Sequence, residues 1–236
     1  MLDIGFKNHI ILDKLKNFPK FTYSSRTNII NYAESFNIYD MIKSKYDSFI
    51  LNNYNEFKKF RKYIYTRCLD IDPIKFLLVP NISNNILQIQ FLNRSGEISN
   101  VRNLFHKTRY ISHSKYYFFQ EISKIDSFEN ITICEGAFDL INLFKYHPLF
   151  KNNFFISIGG INYQNLISDI ISNFLLIGNY TINVIFDQGV FNINQKIKTI
   201  EYRGSLLNPN IIFNFYIPVM SKDVSDFMLI KKLKGH

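Results

Sequence analysis

Residues 131–143 read ITICEGAFDLINL, and the fold turns on them. Ile131–Cys134 is a short apolar run with the composition of a buried strand. It ends on Glu135, and Gly136 behind it permits a tight turn. A helical segment, Ala137–Tyr146, follows at once. Moving outward, the same alternation repeats. Strands are expected at Asn153–Ile158, Ile182–Phe186 and Ile211–Ile217, with helices at Tyr163–Phe174 and Asn194–Tyr202 between them. Short apolar strands alternating with helices imply a parallel sheet with right-handed crossovers. In such sheets ligands bind beyond the carboxyl ends of the strands.

The acids of this half of the chain are few and grouped. Residues 131–236 contain seven: Glu135, Asp139, Asp169, Asp187, Glu201, Asp223 and Asp226. Glu135 follows the first strand, and Asp139 lies four residues on, in the first helical turn. Asp187 follows the third strand with Gly189 close by, and Asp223 and Asp226 follow the fourth after Pro218. Five carboxylates are thus expected along one sheet edge. Two carboxylates 4 Å apart repel by roughly 4 kcal/mol at an effective dielectric near 20, so such a grouping calls for cations. Oxygen ligands without His or Cys favour Mg²⁺ or Mn²⁺ over zinc. Taken singly, Asp139 reads as well as a helix-terminus acid and Asp226 as a surface acid.

The charge is unevenly placed. Of a net +9, residues 57–115 hold +8, from eleven Lys and Arg against Asp70, Asp72 and Glu97. Residues 1–56 carry +1 and residues 116–236 carry zero. A basic excess confined to 59 residues is the footprint of a polyanion site. Within it, FKKFRKYIYTRC (57–68) interleaves basic and aromatic residues and is expected as a helix. Residues 85–103 read as strand, turn, strand, with Ser95-Gly96 at the turn. Tyr116–Phe119 is expected as a further short strand, mostly core, with base stacking as its other use. Helices are expected near Thr27–Phe36 and Asp40–Tyr54. The boundaries drawn are 1–56, a helical region of unassigned role; 57–129, a basic α+β subdomain; and 130–236, the parallel-sheet domain.

ITICEGAFDLINL resembles the opening motif of TOPRIM domains, a strand followed by Glu-Gly-x-x-Asp, carried here by Glu135, Gly136 and Asp139. NVIFDQG around Asp187 looks like the second motif of that family. SKDVSDF resembles the Lys-Asp-x-x-Asp segment of phage-type primases, carried by Lys222, Asp223 and Asp226. Upstream, YIYTRCLDIDPIKF and FLNRSGEISNVRNLF are similar to the subdomain that precedes TOPRIM in bacterial-type primases. The resemblance covers about residues 60–230. It implies that Arg67 and Arg102 lie on a template- or nucleotide-binding surface, with Lys107, Arg109 and Lys115 beside them. HSKYYFF, with Lys115 and Tyr116, is similar to a phosphate-handling Lys-Tyr motif.

Two departures stand out. The family's second motif is Asp-x-Asp, and here Gly189 replaces the second acid. The zinc ribbon is absent: the two cysteines, Cys68 and Cys134, form no CxxC, and residues 1–56 contain none. No Gly-x-x-x-x-Gly-Lys-Ser/Thr sequence marks a fused helicase. Cys134, beside Glu135, reads as a small buried hydrophobe rather than a nucleophile. His106 and His113 read as ordinary polar residues.

The expectation is therefore an α/β protein, a TOPRIM-type parallel sheet flanked by helices and preceded by a basic α+β subdomain. The resemblance implies a DNA primase, a nucleotidyltransferase making short RNA primers on a single-stranded DNA template from nucleoside triphosphates. Asp187, Asp223 and Asp226 would hold Mg²⁺ or Mn²⁺, Glu135 would act as acid/base or metal-orienting group, and Asp139 would support it. Lys222 joins the nucleotide- or DNA-binding set. A replicative helicase is a candidate partner. The alternatives are a TOPRIM nuclease or topoisomerase-like enzyme, and a catalytically degenerate nucleic-acid-binding module. No apolar run approaches the roughly 18 residues of a membrane span, and no signal-peptide pattern opens the chain. The expected setting is the cytoplasm of a bacterial or phage-infected cell.

Overall fold

In the computed structural model the described residues are 37–68, 70–108, 110–112, 116–120, 129–150, 152–159, 163–175, 177–219 and 230–233. The helix expected near Thr27–Phe36 lies outside them. All elements below belong to the unit Ile38–His236.

Helix α1 (Ile38–Asn52) buries Ile38, Ile42, Tyr46 and Phe49, one stripe at helical spacing. Helix α2 (Tyr54–Cys68) turns back after Asn53, whose carbonyl accepts the Phe57 N–H at 2.9 Å. Tyr46 meets Phe57 and Phe60 edge-on at 6.0 Å from each, and its hydroxyl donates to the Leu78 carbonyl at 2.7 Å. That bond ties α1 to the first strand.

The first sheet is an antiparallel meander of β1 (Leu78–Ser83), β2 (Ile86–Leu92), β3 (Ile98–Asn103) and β4 (Tyr110–Ser112), in that order. Asn84 and Asn85, at φ +50° and +60°, form the two-residue left-handed turn that suits a right-twisted hairpin. The Asn93 side-chain oxygen accepts Ser95 N–H and Glu97 N–H, both at 3.1 Å, and shapes the next turn. Leu87, Ile89 and Phe91 face the helices. On the opposite face an amide chain runs across three strands: Asn81 donates to Gln88 at 3.0 Å, and Gln88 to Asn103 at 2.9 Å.

The second sheet is the α/β body that the alternating pattern implies. Its elements are β5 (Asn130–Cys134), α3 (Ala137–Tyr146), β6 (Phe154–Ser157), α4 (Tyr163–Phe174), β7 (Tyr180–Ile185), α5 (Ile193–Leu207), β8 (Ile211–Pro218) and β9 (Ile230–Lys232). Strand order is β6-β5-β7-β8-β9, with the first four parallel and β9 antiparallel. Helix α3 packs on one face with Cys134, Phe155, Ile185 and Tyr216. Helices α4 and α5 cover the other, over Ile131, Ile133, Ile182, Val184 and Phe215. Alternate residues of each strand thus meet helices on both sides, and the parallel strands are apolar on both faces for that reason.

The segment expected as a strand at Tyr116–Phe119 makes a single bridge, Tyr117 to Ser157, with N–H···O distances of 3.0 and 2.9 Å. Its extension is replaced by a side chain. Gln120 donates to the Asn153 carbonyl at 2.9 Å and accepts the Phe155 N–H at 2.6 Å, doing the work of a strand backbone along the β6 edge. The Tyr117 ring lies 5.5 Å from Phe91 of β2, and its hydroxyl donates to the Phe76 carbonyl. One short segment therefore packs against both sheets. Tyr117, Phe118 and Phe119 are buried, as core residues should be.

Candidate active site

The site begins where the parallel strands stop. Cys134 is in register with Ile185 on the neighbouring strand, so Glu135 and Asp187 leave adjacent strand ends on the same edge. Parallel strands lie about 4.8 Å apart. The Glu135 carbonyl is held twice, by Ser157 Oγ at 3.0 Å and by the Gly159 N–H at 3.0 Å. Gly159 sits at φ +67°, the left-handed region that favours glycine. Beneath Asp187, the Tyr163 hydroxyl donates to the Ile185 carbonyl at 3.2 Å.

Asp139 lies in the first turn of α3 and is only 8% exposed. Its carboxylate folds back over Gly136, the residue at the helix N-cap. A Cβ at position 136 would overlap Asp139 Oδ2 and stand 3.4 Å from its Cγ. Glycine follows Glu135 because the acid four residues on needs its space. The helix N-terminus also favours negative charge there.

These three acids act on the same two buried groups. Burial pushes the Cys134 thiol well above its ordinary range, and Asp139, Asp187 and Glu135 push it further. Burial likewise raises the Tyr163 phenol, with Glu135, Asp187, Cys134 and Asp139 adding to it. Glu135, Asp139 and Asp187 are thus all near enough to bear on both buried groups at this edge of the sheet. Cys134 is 1% exposed and its thiol donates to the Gly136 carbonyl at 3.3 Å. A buried protonated thiol is no nucleophile.

The basic residues come from the other sheet and helix pair. Arg67, in the last turn of α2, has its guanidinium 5.7 Å from the Phe138 ring centroid. Arg102 of β3 lies 5.6 Å from the same ring and 5.5 Å from that of Tyr63, and is only 7% exposed. Phe138 is the chain neighbour of Asp139. Asn142 of α3 donates to the Arg67 carbonyl at 3.0 Å, fixing the end of α2 against the helix that carries Asp139. Two guanidinium groups thus lie against Phe138 in the first turn of α3, the turn that also carries Asp139.

Lys107 is exposed in the bend after β3. Arg109, Lys115, Lys222, Asp223 and Asp226 lie outside the described residues, as does His113. His106 accepts the Thr108 N–H through Nδ1 at 3.1 Å. Tyr116, beside Lys115, donates its hydroxyl to Asp169 at 2.9 Å. Asp187, Gln188, Gly189 and Val190 form a turn in which the Val190 N–H reaches the Asp187 carbonyl at 3.4 Å. Gly189 is at φ +86°, where the third residue of a type II turn needs glycine. The position of the missing second acid is therefore a turn position in this chain.

Among the described residues, no group of three or more His, Cys, Asp and Glu side chains could hold a metal ion. The donors at the edge are carboxylate oxygens, the chemistry that suits Mg²⁺ or Mn²⁺. Sequence reading missed Tyr63, Phe138 and Tyr163. Each reads as helix core, and only the pairing of elements reveals that Tyr63 and Phe138 seat the guanidinium groups. Among the described residues no helix is long and apolar enough to cross a membrane.

No protein-family model matches the chain, and no curated protein matches it. Among solved structures it is similar to the primase fragment of the bacteriophage T7 primase-helicase protein, with 12% identity over 65% of this chain and 63% of that one, at a TM-score of 0.42. A DNA primase domain from Pseudomonas aeruginosa gives 14% identity over 69% and 57%, at 0.42. The RNA polymerase domain of Mycobacterium tuberculosis primase DnaG gives 11% over 72% and 71%, at 0.46. The chain spans less than two thirds of the first two of these structures. What it is similar to is thus a set of primase domains, at low identity.

Proposed function

We propose that the protein is a primase-like nucleotidyltransferase that builds short RNA on single-stranded DNA. The observation that carries this reading is the junction at the first turn of α3. There Asp139 lies over Gly136, next to Glu135 at its strand end, and Arg67 and Arg102 lie 5.7 and 5.6 Å from the ring of Phe138, the residue before Asp139. Cations next to clustered carboxylates suit a reaction in which one polyanion is joined to another. Arg67 and Arg102 would bind phosphates, pre-positioned by Tyr63 and Phe138 so that little ordering is left to do on binding. Glu135, its backbone fixed by Ser157 and Gly159, would take the proton from the attacking 3′-hydroxyl. Asp187, with Asp223 and Asp226, would hold Mg²⁺ or Mn²⁺, and Asp139 would orient Glu135. Bound there, the cation would supply charge stabilisation at the attacking and leaving oxygens. Lys107, Arg109, Lys115 and Lys222 would extend the phosphate-binding surface, and a replicative helicase is the partner such an activity would serve.

The test is incubation with single-stranded DNA, labelled nucleoside triphosphates and Mg²⁺ or Mn²⁺, reading oligonucleotide length. Glu135→Gln and Asp187→Ala should each remove most synthesis while leaving DNA affinity within about twofold. Synthesis that survives both substitutions refutes the assignment, and nicking of the DNA without synthesis would favour a nuclease. One observation favours a second reading, a nucleic-acid-binding module without catalysis. Gly189 stands at a left-handed turn position where the resembled motif has an acid. Tight DNA binding with no product under either cation would select it.

A further inference from the structure

The loop after β3 holds a residue that neither the core nor the acidic edge uses. Phe105 is 76% exposed and sits at φ +56°, a conformation that bulky L side chains rarely adopt. The loop around it is tied down. The Leu104 N–H bonds to the Leu87 carbonyl at 2.8 Å, and Asn103 Nδ2 donates to the Thr108 carbonyl at 2.7 Å. The Thr108 N–H bonds to His106 at 3.1 Å. The strained backbone is thus held by its surroundings, the usual condition of a residue kept in place for use. The Phe105 ring meets Tyr63 edge-on at 6.1 Å, and Tyr63 is the ring under the Arg102 guanidinium. Exposed Lys107 follows two residues on. An exposed aromatic ring within the segment that carries the +8 charge therefore adjoins Tyr63, which itself meets Arg102 and Phe138.

We propose that Phe105 is a stacking platform for one unpaired base of single-stranded DNA entering the site. Flat aromatic faces beside phosphate-binding cations are how single strands are held without sequence readout. The proposal rests on the nucleic-acid reading above and adds to it the residue that receives a base. The chain contains no Trp, so Phe105→Trp places a single reporter at this spot. Its emission should be quenched by an oligothymidylate and unchanged by inorganic polyphosphate, which offers charge without bases. Phe105→Leu keeps an apolar side chain without an aromatic face, and should weaken oligonucleotide binding on the order of 5- to 150-fold, the measured range for one stacked base. Because the ring lies at the surface, both variants should keep the wild-type melting curve. If wild type binds the oligonucleotide, Phe105→Leu binds equally well and the indole of Phe105→Trp is unquenched, the platform is refuted while the nucleic-acid reading stands. If wild type binds no single strand at all, both fall.

Discussion

Replacing Gly136 with Ala perturbs the site by one methyl group, and its sign depends on Asp139. At φ −102° and ψ 146° the backbone of Gly136 is ordinary extended chain. Alanine there should by itself stabilise the fold by about 0.4–1 kcal/mol, because the unfolded chain loses freedom. The new Cβ, however, overlaps Asp139 Oδ2 and lies 3.4 Å from Cγ. Asp139 is 8% exposed, so its carboxylate has little room to rotate. Displacing a buried, partnered carboxylate costs about 1–3 kcal/mol. Gly136→Ala should therefore destabilise the protein in the native background. In an Asp139→Ala background the overlap vanishes, and the same substitution should stabilise by its backbone contribution alone. The coupling between the two sites is then about 1–3 kcal/mol, read from urea midpoints of the four proteins at constant m. Primer synthesis offers a parallel readout, since the displaced carboxylate belongs to the proposed acid group. Equal stabilisation in both backgrounds would show that Asp139 does not lie over Gly136, and the argument for that glycine would fail.

Gly189→Asp meets nothing within 4 Å, so its cost should be the left-handed strain alone, about 1–2 kcal/mol. If the site works with one ligand fewer, the variant should need less Mg²⁺ for half-maximal synthesis; an unchanged requirement with intact folding favours the binding module. For DNA affinity against salt, six neutralised phosphates give a log–log slope near −4, at roughly −0.7 each for single strands. Lys62→Glu with Lys107→Glu, both exposed, should flatten it; Arg102 is too buried for charge reversal to report on binding alone. The Cys134 thiol is held protonated in the fold, by burial first and then by Asp139, Asp187 and Glu135. Its stabilising contribution is full below the ordinary thiol pKa of about 8.5 and is lost above it, at up to about 1.4 kcal/mol per pH unit. Cys134→Ala should flatten that alkaline decline in urea midpoints, and an identical decline in both proteins would locate it elsewhere.

The parallel sheet was legible because each of its strands is a short apolar run and each helix between them is amphipathic. The helices at Ala137–Tyr146 and Tyr163–Phe174 fall where periodicity puts them. Strand β1 was not legible. Pro80 lies inside it, which argues against a central strand, and only its place at the sheet edge makes the missing N–H tolerable. The signal that could have found it is the Asn84-Asn85 pair, which the strand-turn-strand reading from residue 85 onward left unused. Strand β9, Ile-Lys-Lys, is too short and charged to show a period. At the site, Glu135 and Asp187 could be placed because they end strands. That Arg102 would be buried against rings could not, since Tyr63 and Phe138 come from two different helices.

The Gln120 amide has a consequence for how copies of this protein behave together. Strand β6 is the outer strand of its sheet, and an open outer strand invites a second chain to add on by backbone pairing. Gln120 occupies Asn153 O and Phe155 N, and Tyr117 occupies Ser157 N and O. These four docking points along the edge are filled by the molecule's own residues. Strand addition at this edge is opposed by Gln120 and Tyr117 together, and Gln120→Ala would expose the groups at 153 and 155 to other chains. On that account the variant should aggregate sooner than wild type on heating at high protein concentration, with the difference shrinking as the protein is diluted.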